Sequence, residues 1–208
     1  MASEVDICNL ALGYLGDSGS VTSISPPDGS MQAGQCARFY PMARNTLLEM
    51  RHWGFASRRA ALSLLSVTPP SSWSYAYALP SDMLSAIAVV DPTATDDALE
   101  SGHYVPQPYK IEILSTGTKV LYTNQENAVL RYTVLITDTT KFTPLFIEAV
   151  SWLLASKLAG PLLKGDTGRK VSQDCLKTFQ AWFGQATASD ANQQLSDSAA
   201  QPSWISGR

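Results

Sequence analysis

Charge is scarce in this sequence. Only 16% of its 208 residues are Asp, Glu, Lys or Arg, against about 25% in an ordinary soluble domain. The 15 basic and 18 acidic residues are interspersed, for a net charge of -3. No basic stripe of the kind that reads DNA is present, and a weakly acidic surface does not hold phosphates. Histidine is nearly missing, with only His52 and His103. Cysteine is limited to Cys8, Cys36 and Cys175. Three is an odd number, no pair has C-x-x-C spacing, and each cysteine falls in an apolar helical pattern, which reads as three small core residues. The start, ASEVD, is polar and carries no secretory signal. No run of about 18 apolar residues exists to cross a membrane. The expectation is a chain made in a cytoplasm that stays soluble.

Hydrophobic residues make up 45% of the chain. At this length folding buries roughly 70% of the extended surface, so one ordinary domain or two small ones can form without metal or disulfide. A surface so poor in charge suits burial against partners.

The pattern along the chain is helical, then β, then helical. Ser3 caps a helix over about Glu4–Tyr14, with Asp6 completing a box. Val5, Cys8, Leu12 and Leu15 form its stripe, and Gly16 ends it. A Ser/Pro/Gly-rich loop follows over 17–29. A second helix is expected over Met31–Met50, with Cys36, Phe39, Tyr40, Ala43, Leu47 and Met50 on one face and Pro41 kinking or splitting it. RHWGFASRRAAL (51–62) turns helix into strand. Strands are expected in 58–65, in 74–79 (Tyr75, Tyr77 and Leu79 on one half-buried face) and in 85–91. An exposed excursion spans 92–108. YKIEIL (109–114) and KVLYT (119–123) make a hairpin, and AVLRYTVLI (128–136) is the longest strand. Thr143 and Pro144 then open a helix with Phe146, Val150, Leu153, Leu154 and Leu158 inward, weakened or ended at Gly160-Pro161. A last helix from near Thr167 carries Val171, Cys175, Phe179 and Trp182. From Thr187 the composition is that of a disordered tail, with Trp204 and Ile205 as late apolar residues. No internal repeat is found.

This order predicts an α+β fold: a four-helix bundle from the N- and C-terminal helices, with an inserted antiparallel β domain. The expected parts are 1–57 (first bundle part), 58–142 (β domain), 143–187 (second bundle part) and 188–208 (flexible tail). Apolar stripes only about 100° wide need one another for burial.

Chemistry is hard to place. His52 sits at a helix end, where it can donate to the last carbonyls. His103 is in the polar excursion. GDTGRK (165–170) lacks the spacer of a phosphate loop and has Val171 where Ser or Thr would bind Mg²⁺, so it reads as a helix–helix turn. Asp96, Asp97 and Glu100 fall short of a calcium loop. Phe39, Tyr40, Trp53 and Phe55 could stack on single-stranded bases, but with no basic groove core packing accounts for them better. No catalytic, cofactor-binding or metal-binding residue is nominated, and the chain is read as not an enzyme.

Several blocks resemble the tail tubular protein A-type head-to-tail adaptors of short-tailed bacteriophages. They are SEVDICNLALGYLGD (3–17), CARFYPMARNTLLEMRHWGFASRRAAL (36–62), WSYAYALPSDML (73–84) and FIEAVSWLLASKLAGPLLKG (146–165). They come in the family's order and cover most of 3–185. None is a catalytic signature, so their number and order carry the specificity. Trp53 stands where the family favours Pro after His. The resemblance implies a virion protein: a homo-oligomeric ring, a dodecamer in the family, that sits beneath the portal protein and joins it to the tail nozzle protein. Double-stranded DNA passes through the lumen without specific binding, and fibres or spikes could attach to the β domain. No membrane is involved. Trp204 and Ile205 are the partner-binding residues expected to anchor the tail on the portal or a neighbour, folding as they dock.

Three rival readings differ in what they predict. A neck or head-completion protein of a long-tailed phage follows the same logic with different neighbours. A small hydrolase needs convergent titratable groups in a pocket. A nucleic-acid-binding module needs strong, salt-dependent DNA affinity.

Overall fold

The computed structural model describes residues 2–93 and 106–193. These form a mixed α/β chain with four helices and two small antiparallel sheets. Two compact units result, Met1–Phe55 with Leu135–Gln193, and Ala56–Val134.

In the helical unit, α1 spans Glu4–Tyr14. The Ser3 hydroxyl accepts from the Asp6 N–H and the Asp6 carboxylate accepts from the Ser3 N–H, so two orphan donors are satisfied reciprocally. Gly16, at φ +73°, takes the left-handed position after the helix that a Cβ would disfavour. The buried face is Ile7, Cys8, Ala11 and Leu12, rotated from the expected stripe because Ile7 and Ala11 replace Val5 and Leu15. The loop to α2 is pinned at both ends. Asn9 receives the Val21 N–H at 2.8 Å and donates to its carbonyl at 3.0 Å. The Asp28 carboxylate accepts from Thr22 and Ser30 backbone and hydroxyl groups, which holds its pKa well below the usual carboxylate range.

Helix α2 spans Met31–Met50, capped by Ser30. Pro41 lies inside it and does not split it; only the bond to the Ala37 carbonyl is forgone. The inward face is Ala33, Cys36, Tyr40, Ala43, Arg44, Leu47 and Leu48. Met50, expected inside, is exposed.

Helix α3 spans Pro144–Leu163, with the Thr143 hydroxyl accepting from the Phe146 N–H. It packs against α1, α2 and α4, and Ala149, Val150, Ser151, Leu153, Leu154, Ala155, Leu158 and Ala159 are buried on every side. A helix apolar all round is a core helix. By length and composition it could cross a membrane, and 56% of that window is buried inside the protein. Gly160-Pro161 does not end it; Gly168 of α4 lies close against Ala159 and Gly160, and helical packing overrides propensity.

Helix α4 spans Gly165–Ala191. Its tightest contact with α3 is at Gly168, where a Cβ would lie 2.8 Å from the Ala159 carbonyl oxygen. Beside it, the Ser172 hydroxyl donates to the Ser156 carbonyl at 2.7 Å. Gly168→Ala should therefore destabilise the unit by about 1–3 kcal/mol through overpacking against backbone. Thermal melts check this against Gly184→Ala, where a Cβ meets nothing within 4 Å and alanine's better helix propensity should stabilise α4 by about 0.5–1 kcal/mol. The helix continues past the expected limit near 187, because Ala186 and Asp190 are buried.

In the β unit, β1 (Ser57–Ala61), β6 (Val129–Val134) and β3 (Met83–Val90) form one sheet in that order. The other sheet has β2 (Tyr75–Ala78), β5 (Lys119–Thr123) and β4 (Tyr109–Ile113). The β4–β5 hairpin closes on Gly117 at φ +83°, in the register Tyr109↔Thr123 to Ile113↔Lys119. Two strand expectations are corrected. At eight residues β3 is longer than the six-residue β6, since two bulges let it extend along its partner. Strand β2 is not half-buried. Ala76 packs with Val120 and Tyr122 on one face, while Tyr77 is buried on the other and donates to the Gln125 carbonyl. The run expected over 58–65 also breaks after Ala61, and residues 63–65 bond to β2 instead of continuing β1.

Candidate interaction surface

The turn after α2 is held from three directions. The indole N–H of Trp53 donates to the Leu47 carbonyl at 2.8 Å, so the tryptophan satisfies one of the last carbonyls of α2. Its ring meets Phe146 edge-on at 5.2 Å and Phe183 at 6.0 Å. Phe55 meets Phe146 at 5.1 Å and Phe142 at 6.1 Å. The Gly54 N–H donates to Asp190 at 3.0 Å, and Arg51 Nε lies 3.6 Å from the same carboxylate. Tyr40 and Trp53 are buried and Phe39 and Phe55 half-buried. The aromatic set is packed into the protein rather than laid out as a platform for bases.

A second anchor joins α1 to α3. The Tyr14 hydroxyl donates to Glu148 at 2.6 Å, and its ring stacks on Trp152 at 3.9 Å. Burial and then the Glu148 carboxylate push the Tyr14 phenol up. Neither Asp190 nor the Tyr14–Glu148 pair was anticipated. Asp190 carries a readable signal: it continues the inward stripe Cys175, Phe179, Ala186 at helical spacing, and an acid on an apolar stripe must have a partner.

The outward helix faces have little charge. On α2, Met31, Met42 and Met50 are 56%, 53% and 49% exposed. Exposed Gly34, Arg38, Thr46 and Glu49 share that side, with one cation and one anion among them. On α4, residues 178–189 hold no charged side chain, and Gln180, Ala181, Gly184, Gln185 and Ala188 are exposed there. Methionine is flexible and polarizable, so it adapts to a partner's contours.

Among the described residues, no group of three or more His, Cys, Asp or Glu could hold a metal. The 165–170 segment is the α3–α4 turn and first turns of α4, with Lys164 and Gly165 at φ +55° and +56°, and Asp166 pairs with Arg169. His52 is exposed in the turn after α2. His103, Asp96, Asp97, Glu100, Trp204 and Ile205 lie outside the described residues.

No protein-family model matches the chain, and no curated protein sequence matches it.

Proposed function

We propose that this chain is a structural subunit of a short-tailed bacteriophage virion, a head-to-tail adaptor without catalytic activity. In this reading its ring joins the portal to the tail nozzle and forms part of the channel through which DNA leaves. The four helices act as one bundle forming the ring wall, and the β unit between them is an insertion available to fibres or spikes. The ring is made in the host cytoplasm and carried in the virion.

The observation that carries the reading is the pair of outward faces poor in charge, one along α2 and one over residues 178–189 of α4, on a unit whose interior is already filled by α3. Such faces suit burial against further copies, and a ring uses heterologous contacts in which one face meets a different face of the neighbour. The four blocks resembling the adaptor family name the assembly. They fall in order on α1, on α2 through β1, on β2 and the start of β3, and on α3.

Portal capture tests the role of the tail. Full-length protein should bind its phage's portal ring, and a chain ending at Gln193 should lose that binding. The cut belongs after Gln193 because removing residues from 188 would also remove Asp190. Alanine at both Trp204 and Ile205 should weaken capture in the same direction. Equal capture by the truncated chain would remove the tail from the account.

A further inference from the structure

One edge of the β2–β5–β4 sheet is covered and the other is open. Beyond β2, the Leu65 N–H donates to the Ala76 carbonyl and the Ala78 N–H to the Ser63 carbonyl. Beside β4, the Gln107 N–H donates to the Val89 carbonyl of β3 just before the strand begins. From Tyr109 to Ile113 no strand other than β5 pairs with β4 among the described residues. Ile113, at the end of this edge, is 66% exposed. The Leu114 N–H donates to the Thr118 carbonyl at 2.9 Å. Hydrogen-bonded and non-bonded pairs alternate along an antiparallel ladder, so the backbone groups of Lys110 and Glu112 turn toward β5. Those of Tyr109, Ile111 and Ile113 turn outward, where a further strand would meet them.

We propose that β4 docks on β4 of a second copy of this chain, antiparallel and centred on Ile111. In that register Ile111 lies opposite Ile111 of the second copy and exchanges both backbone bonds with it. Tyr109 lies opposite Ile113 of the second copy and does the same. These are the residues whose backbone groups turn outward. Lys110 then stands opposite Glu112 of the second copy, and Glu112 opposite its Lys110. Within one chain these two side chains already form an ion pair, so docking keeps that pair and adds one across the strands on each side of the centre. Charge and backbone direction disfavour the alternatives. An in-register parallel pairing sets Lys110 against Lys110 and Glu112 against Glu112. Antiparallel registers centred on Tyr109 or Ile113 satisfy the backbone but leave Lys110 away from Glu112. Registers centred on Lys110 or Glu112 put like charges together at the centre and present the backbone groups already bonded to β5. The occupant is therefore a second YKIEI strand, and the contact closes at two copies. It goes beyond the adaptor reading and does not depend on it, since a ring is closed by heterologous contacts.

The contact is small and belongs to the weak end of protein interfaces, so the test follows the full chain by sedimentation equilibrium at rising concentration, with no portal present. The mass should climb from one 22.5 kDa subunit toward two. Lys110→Glu and Glu112→Lys each replace attraction by repulsion at both symmetry-related pairs. Either one alone should weaken dimerisation on the order of tenfold. The chain carrying both substitutions should dimerise like the parent, and an equimolar mixture of the two single variants should regain the dimer as a mixed pair. Hydrogen exchange followed by nuclear magnetic resonance gives a readout on the unsubstituted chain. The Ile111 and Ile113 amides should exchange more slowly as concentration rises, while those of Lys110 and Glu112, already bonded to β5, change less. A chain that keeps the mass of one subunit at about 1 mM would overturn the proposal. So would a dimer that both single variants form as tightly as the parent, because that dimer would use another surface.

Discussion

Replacing Trp53 by alanine should destabilise the helical unit by about 3–5 kcal/mol. Truncation empties the space between Phe146 and Phe183, and the aromatic pairs are worth more than their area alone. It also removes the donor that satisfies the Leu47 carbonyl. Trp53→Phe separates the two effects: it keeps most of the packing and loses only the hydrogen bond, so about 1–2 kcal/mol should remain. Denaturant melts followed by far-ultraviolet circular dichroism report both. A Trp53→Ala protein as stable as the parent would mean that the turn is not the anchor the geometry describes.

Asp190→Ala should cost about 1–3 kcal/mol and fray the end of α4. An acid near a helix C-terminus is opposed by the helix dipole, so Asp190 stays there because the Gly54 N–H and Arg51 receive it. Removing it leaves both without their partner. Asp190→Asn retains one acceptor for Gly54 and should recover part of the loss. Hydrogen exchange on residues 184–191 should quicken in the alanine variant and much less in the asparagine one. Unchanged exchange in both would show that the last turns of α4 hold without this contact.

The helix limits were legible where caps announced them. Ser3 with Asp6, Ser30, and Thr143 with Pro144 mark three starts, and Gly117 marks the hairpin. Breakers were over-read: Pro41 and Pro161 both sit inside continuous helices, since a single lost bond is outweighed by helices packed alongside. Polar composition was also over-read. Thr187, Ser189 and Asp190 look like tail, yet the buried carboxylate carries α4 to Ala191. Strand faces were harder, because Ala76 and Tyr77 are buried on opposite sides of β2 and strict alternation cannot express a strand covered twice. The low charge of the chain was visible at once, but that uncharged stretches lie outward on α2 and on residues 178–189 of α4 required the helices to be placed.

The central claim is assembly with a portal, and light scattering of the purified protein, alone and mixed with its phage's portal, tests it most directly. The account predicts that the mixture contains a species heavier than the portal ring by a ring-like multiple of the 22.5 kDa subunit. A protein whose mass is unchanged by the portal, with the portal's own mass unchanged as well, would contradict it.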